Sequence, residues 1–149
     1  MPTPPPPDPR DALVLELSSQ LLPFAHALRH AAERVFAPLG LRTSRVLVLE
    51  LIHRGVDQPK ALAEVLETVP SAVTAILADL EGKGLIERTT DPDDRRRVRL
   101  HLSAAGDATY ARLGAAWLEA GRAYLDGVDL DDLHAVARVA AQVARRTPS

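Results

Sequence analysis

Apolar residues recur along this chain with two different periods, and the change from one to the other separates helices from a hairpin. Leu13, Leu17, Leu21, Phe24, Leu28 and Val35 fall at steps of three, four or seven, which lines one face of a helix running from Asp11 to about Pro38. Pro23 interrupts that stripe. It removes a backbone donor and clashes with the preceding turn, so a kink or break is expected there. A second helix is expected from Thr43, read as its N-cap, to His53, with Val46, Leu47, Leu49 and Ile52 apolar and Gly55 as the stop. A short helix follows from about Lys60 to Leu66, and Pro70 opens another that runs to Glu81 or Gly82. Proline suits a first helical position because the donor it lacks has no partner there. Val69 is pushed out of the helical region into the N-cap position, and valine cannot cap.

Beyond Gly82-Lys83-Gly84 the period becomes two. Leu85 to Thr90 is a candidate strand, and Val98, Leu100 and Leu102 alternate with Arg99 and His101 in a clearer one with a wet face. The polar run from Asp91 to Arg97 joins them as the tip of a β-hairpin. Ser103 then caps a long helix to about Leu125, with Tyr110, Leu113, Trp117 and Tyr124 on one stripe. Asp126-Gly127-Val128 breaks it. Asp129, with Asp132 three residues on, starts a last helix along Leu133, Val136, Ala137, Ala140 and Val143. Arg145 and Arg146 at its end suit the helix dipole.

A length of 149 residues favours one core over two. The expected organisation is a Pro-rich disordered tail over residues 1–10, which holds six prolines, and a single domain over 11–149. Hydrophobic residues make up 46% with only 3% aromatics, so Ala, Leu and Val carry the apolar load and favour helix. No apolar run approaches a membrane span and no signal-peptide core is evident, so the expected location is cytoplasmic, with no membrane partner. Cysteine is absent, which excludes disulfides, thiolate metal sites and thiol redox sensing. The net charge of −2 is uninformative by itself, but its distribution is not. Arg95, Arg96, Arg97 and Arg99 crowd one end of the hairpin, whereas Asp126, Asp129, Asp131 and Asp132 lie far along the chain. A locally basic tip can bind phosphates while an acidic remainder limits non-specific adhesion.

The order of elements is helix, helix, short helix, helix, hairpin and two long helices. A short helix joined by a few residues to the one from Pro70 has the layout of a helix-turn-helix, whose second helix enters the major groove. The hairpin beside it would be a wing, and long cations at a wing tip suit phosphates and narrow minor grooves. Gly40-Leu41-Arg42-Thr43, Leu62-Ala63, Val73-Thr74, Leu77, Leu80-Glu81, Lys83-Gly84-Leu85-Ile86, Arg88, Asp91-Pro92-x-Asp94-Arg95-Arg96 and Leu100-x-Leu102-Ser103-x-x-Gly106 follow one another in register. From about Gly40 to Gly106 the chain resembles MarR-family regulators, and the Asp-Pro-x-Asp-Arg-Arg wing followed by the Leu-Ser-x-x-Gly helix start is the most specific part.

That resemblance implies a mainly α (α+β) winged helix-turn-helix fold, with dimerisation helices over 11–38 and 104–146 and a DNA-binding part over 41–103. It implies a homodimer on a pseudo-palindromic double-stranded DNA operator, mostly repressing, and released by a small phenolic or anionic effector. Residues assigned to DNA are Thr43, Lys60, Pro70, Ser71, Ala72, Thr74, Ala75, Arg88, Asp94, Arg95, Arg96, Arg97 and Arg99. By the same resemblance Arg96 is the minor-groove arginine and Asp94 the acid that pins it. One departure stands out: many relatives carry a cation at the position of Ala75, and from Val69 to Leu80 this chain has none, only Asp79. Arginine readout of guanine is therefore closed to that helix, leaving Ser71 and Thr74 to hydrogen-bond and Ala72 or Ala75 to meet thymine methyls.

Other readings compete. The arginine cluster alone is equally a solvated turn neutralised by Asp91, Asp93 and Asp94. Phe24, His26, His30 and Trp117 are candidate ligand-binding residues; Trp117 and Tyr124, at helical spacing, also suit a dimer core. Gly114 and Gly121 allow a close helix crossing or leave room for a ligand. His26 and His30 stand at i and i+4, a spacing that can chelate zinc, but no Cys or Glu partner is evident in that segment. Surface or interface histidines are the plainer reading, so no metal site and no cofactor is assigned; a metal-responsive regulator drawing on His101 or His134 remains an alternative. No Ser-His-Asp order, phosphate loop or zinc-protease signature appears, so an enzyme is not expected. A winged helix turned to protein interaction, with weak or no DNA binding, is the other alternative.

Overall fold

Six helices and a two-stranded hairpin are seen among the residues that the computed structural model describes, 8–91 and 98–144. In chain order they are α1 (Pro9–Phe36), a 3-10 turn (Ala37–Leu39), α2 (Thr43–His53), α3 (Pro59–Val65), α4 (Pro70–Gly82), β1 (Ile86–Thr90), β2 (Val98–Leu102), α5 (Ala104–Tyr124) and α6 (Leu130–Ala144). Element types and order match the expectation from periodicity. Three local expectations do not hold.

Helix α1 begins inside the segment read as a tail. The carboxylate of Asp8 accepts the Arg10 N–H at 2.9 Å, and Pro9 sits in the first turn, where its fixed φ is already helical. The same helix runs without a break through Pro23, since one missing donor leaves the rest of a long hydrogen-bond ladder intact. Thr43 is not the N-cap of α2. Arg42 holds that position with extended backbone and no side-chain cap, while the Thr43 hydroxyl is buried without a partner. Leu41, buried at the preceding position, anchors the chain in the core and fixes the helix start one residue earlier than the side-chain chemistry suggests.

Val69 at the start of α4 makes no side-chain cap, as expected. The helix is held instead by Val73, Leu77 and Leu80, all but inaccessible to solvent. Its far end closes through two backbone bonds, Gly84 N–H to Glu81 C=O at 2.8 Å and Leu85 N–H to Leu80 C=O at 2.9 Å. That paired arrangement needs a left-handed residue between them, and Gly84 at φ +67° supplies it. The strands pair antiparallel with Ile86 opposite Leu102, Arg88 opposite Leu100 and Thr90 opposite Val98. Ile86 and Leu100 point into the core.

The core gathers α2, α3, α4, the hairpin, the end of α1 and the start of α5, around Val48, Leu49, Leu62, Leu77, Leu100 and Leu113. Phe36 of α1 packs on Trp117 of α5 with ring centroids 5.6 Å apart. Tyr110 of α5 donates to the Glu50 carboxylate of α2, a bond that holds the phenol above its ordinary pKa. The rest of the α1 stripe is uncovered: Leu13, Leu17, Leu21, Phe24 and Leu28 are 44–56% exposed. On α6, Leu130, Val136 and Val139 are 54–65% exposed. Among the described residues, no single helix is long and apolar enough to cross a membrane.

Candidate nucleic-acid interface

Helices α3 and α4 are separated by four residues, Leu66 to Val69, and the chain axis turns by 118° between them. That is the geometry of a helix-turn-helix. Glu67 makes the corner at φ +48°, a left-handed conformation that most side chains disfavour. Because Val73, Leu77 and Leu80 face inward, Pro70, Ser71, Thr74 and Ala75 face out, with Ala72 half-buried beside them. The Thr74 hydroxyl donates to the Pro70 carbonyl at 2.9 Å. Its hydrogen is thereby committed and its lone pairs are left as acceptors.

The one ionised group on α4 before its last turn is kept off that face. Arg45 of α2 reaches the Asp79 carboxylate at 2.9 Å and Lys83 reaches it at 3.0 Å. Arg45 first, then Lys83, holds this carboxyl below its ordinary value. The exposed surface of α4 thus presents small and hydroxyl side chains and no net charge.

Basic residues assigned to DNA from sequence fall into different situations. Lys60 on α3 is 89% exposed, with Glu64 3.8 Å away. Arg88 on β1 is ion-paired to Glu81 of α4. Arg99 on β2 is a strut: its Nη1 meets Asp57 at 2.7 Å and its Nε meets Asp91 at 2.9 Å. Those two carboxylates, Asp57 foremost, push the guanidinium pKa up. The neighbouring Leu100 N–H donates to the Asp57 carbonyl at 2.8 Å, so one loop residue grips the hairpin twice. Sequence reasoning missed Asp57, since 42 residues separate it from Arg99 and no local pattern links them. Asp94, Arg95, Arg96 and Arg97 lie outside the described residues. Thr43 sits apart, at the foot of α2 in a cleft with Arg29, Glu33 and Arg42.

The candidate ligand residues divide. Phe24 and Trp117 meet across a groove of about 440 Å³, with Leu28, Gly121 and Tyr124 in its wall. Arg34 donates to the Tyr124 hydroxyl at 2.6 Å. His26 and His30 do not line this groove; they pair with each other on the exposed surface of α1.

Comparison with known proteins places this architecture. The model of the MarR family matches residues 43–98. The HTH-type transcriptional repressor MdtR of Bacillus subtilis is 30% identical over 107 residues, covering 71% of this chain and 69% of that protein. The chain belongs to the MarR family. A second relative, the putative transcriptional regulatory protein for the hcr operon of Thauera aromatica, is 34% identical over 92 residues. That match takes in 60% of this chain and 55% of the relative, so the chain spans just over half of that protein. These relatives bear the names of regulators rather than enzymes. Among solved structures, a mutant MarR from E. coli complexed with operator DNA shares the fold at TM-score 0.73 and 20% identity, covering 92% of this chain and 99% of that one. CouR from Rhodococcus jostii RHA1 bound to p-coumaroyl-CoA does so at TM-score 0.73 and 20% identity, covering 87% and 91%. The winged helix-turn-helix read from the sequence is the fold of the family.

Proposed function

We propose that this MarR-family chain is a DNA-binding transcriptional regulator, a repressor that works as a homodimer on a pseudo-palindromic operator. The observation that carries the reading is the α3–α4 pair, turned through 118° with an uncharged, unobstructed outer face and a hairpin alongside. α4 enters the major groove. Thr74, its own hydrogen occupied, accepts from an adenine or cytosine amino group, and Ala72 and Ala75 pack on thymine methyls. Arg95, Arg96 and Arg97, which the sequence puts between the paired strand ends Thr90 and Val98, supply the grip on phosphates and minor groove, with Asp94 holding Arg96. Arg88 and Arg99 act indirectly, by fixing the hairpin against α4 and the Asp57 loop.

The exposed apolar stripe of α1 and that of α6 support a second copy as the missing cover, and light scattering on the purified chain tests this. The apolar, aromatic groove between Phe24 and Trp117 supports a small aromatic or anionic effector. Trp117 is the sole tryptophan, so its fluorescence reads occupancy directly.

The deciding experiment is selection of bound sequences from random DNA, followed by anisotropy titrations across salt. Lys60 with three wing arginines gives about eight phosphate-reaching cations per dimer, hence a log–log salt slope of about −7. Arg96→Ala weakens operator binding by about 1–3 kcal/mol without lowering the melting temperature. No enriched sequence, or unchanged affinity in that variant, overturns the reading. A protein-docking module is the second reading, favoured by the cation-free α4 and by the pairing of Arg88 and Arg99 with carboxylates; it requires a salt slope near zero.

A further inference from the structure

On the exposed side of α1, away from the aromatic groove, His26 and His30 bring their Nε2 atoms to 3.0 Å with ring planes at 74°. Each of their other nitrogens has a charged neighbour. An Arg29 nitrogen stands 3.5 Å from His26 Nδ1, and a Glu33 oxygen stands 3.8 Å from His30 Nδ1. A guanidinium only donates, so His26 Nδ1 accepts and that ring carries its proton on Nε2. This proton points at His30 Nε2, which leaves the His30 proton on Nδ1, facing the Glu33 carboxylate. One consistent pattern of protons thus runs Arg29, His26, His30, Glu33, and its centre is a single hydrogen shared by two imidazole nitrogens.

The geometry points to a metal site: His26 and His30 chelate a divalent transition-metal ion of the imidazole-seeking class, which takes the place of the shared proton between their Nε2 atoms. Zinc–imidazole bonds of about 2.0–2.1 Å at a tetrahedral angle put the two nitrogens about 3.3 Å apart, so two exposed rings need only open slightly from 3.0 Å. Glu33 already stands where a metal-bound histidine wants a carboxylate, on the ring nitrogen opposite the ligating one. No net proton is released. His26 moves its hydrogen from Nε2 to Nδ1, and Arg29, held there by a contact at the limit of hydrogen bonding, swings away. Water completes the coordination, because the described residues hold no cluster of three or more ligating side chains. Two imidazoles on one helical turn favour copper(II) over nickel(II) and zinc(II), and exclude magnesium.

Calorimetric titration of the tag-free full chain with CuCl2, NiCl2, ZnCl2 and MgCl2 tests this independently of DNA binding. Expected is saturable one-to-one binding of the first three and none of magnesium. His26→Ala and His30→Ala each lose at least tenfold in nickel affinity, Glu33→Gln loses several-fold, and His101→Ala is unchanged. Arg29→Ala, which removes both the competing donor and a nearby cation, binds nickel several-fold more tightly than the natural chain. Circular dichroism confirms that the variants fold, as exposed positions should. Nickel affinity that is equal in the natural chain, His26→Ala and His30→Ala, or absent in the natural chain up to millimolar nickel, overturns the proposal.

Discussion

Replacing Gly106 by alanine should unfold this protein more readily than any other single methyl group added to a glycine. Gly106 is the third residue of α5, in the turn that meets the hairpin, and a Cβ built there lies 1.9 Å from the Leu85 carbonyl oxygen. Real Cβ atoms essentially never approach closer than 3.0 Å, so something must retreat by more than an ångström. The Leu85 carbonyl accepts the Ser103 N–H at 3.0 Å, and the Ser103 hydroxyl accepts from Gly106 N–H at 3.0 Å while donating to Gly84 C=O at 2.5 Å. If the carbonyl moves, a buried donor loses its partner, at about 1–3 kcal/mol. If α5 lifts instead, the serine cap loosens, at about 1 kcal/mol, and Leu113 shifts out of register in a close-packed core, at about 1–3 kcal/mol. Alanine's better helix propensity returns about 1 kcal/mol. Either way the net expectation is a loss of about 1–2 kcal/mol, which for a urea m-value of about 2 kcal/mol/M lowers the midpoint by about 0.5–1 M. Urea unfolding followed by circular dichroism at one fixed protein concentration measures it. Gly82→Ala is the control: nothing lies within 4 Å of its Cβ, and the helix should gain about 0.5–1 kcal/mol. A Gly106→Ala midpoint within experimental error of the natural chain would refute the steric argument.

Three further outcomes follow from particular residues. Glu67→Gly should raise stability by about 0.5–1 kcal/mol, because glycine adopts the left-handed corner between α3 and α4 without steric cost; a lowered melting temperature would show that the Glu67 side chain matters more than its backbone. Asp79 has its folded pKa depressed below 3.8 by Arg45 and Lys83, so its contribution is present above that value and is lost as pH falls through the depressed one. The stability gap between the natural chain and Asp79→Asn should therefore be full at neutral pH and close in acid; a gap that is flat with pH contradicts the pairing. Arg99→Gln should weaken DNA binding through loss of the strut to Asp57 and Asp91 while leaving the salt slope unchanged. A slope reduced by about 1 would make Arg99 a phosphate contact after all.

The periodicities of the sequence were enough to fix which segments are helices, where the hairpin lies and which strand has a wet face, because those depend on neighbours three, four or two residues away. The motif from Gly40 to Gly106 was legible for the same reason: Gly84 and Ser103 act on residues within a few positions of themselves. Thr43 shows the limit, since its hydroxyl suits a cap but the burial of Leu41 sets the cap one residue earlier, at Arg42. The uncovered α1 stripe could not be told from a buried one by spacing, because periodicity reports that a face is apolar and not what covers it. Arg99 looked like a cation for DNA until the fold brought Asp57 and Asp91 to it from distant positions. Glu33, one turn after His30 on the same helix, was within reach of the spacing argument, yet the sequence reading saw no carboxylate partner for the two histidines. What the sequence determined by itself was local conformation and the chemical character of each face. Only the tertiary structure decided which charges are neutralised by partners and which remain to act, because Coulomb attraction depends on distance in space and not along the chain.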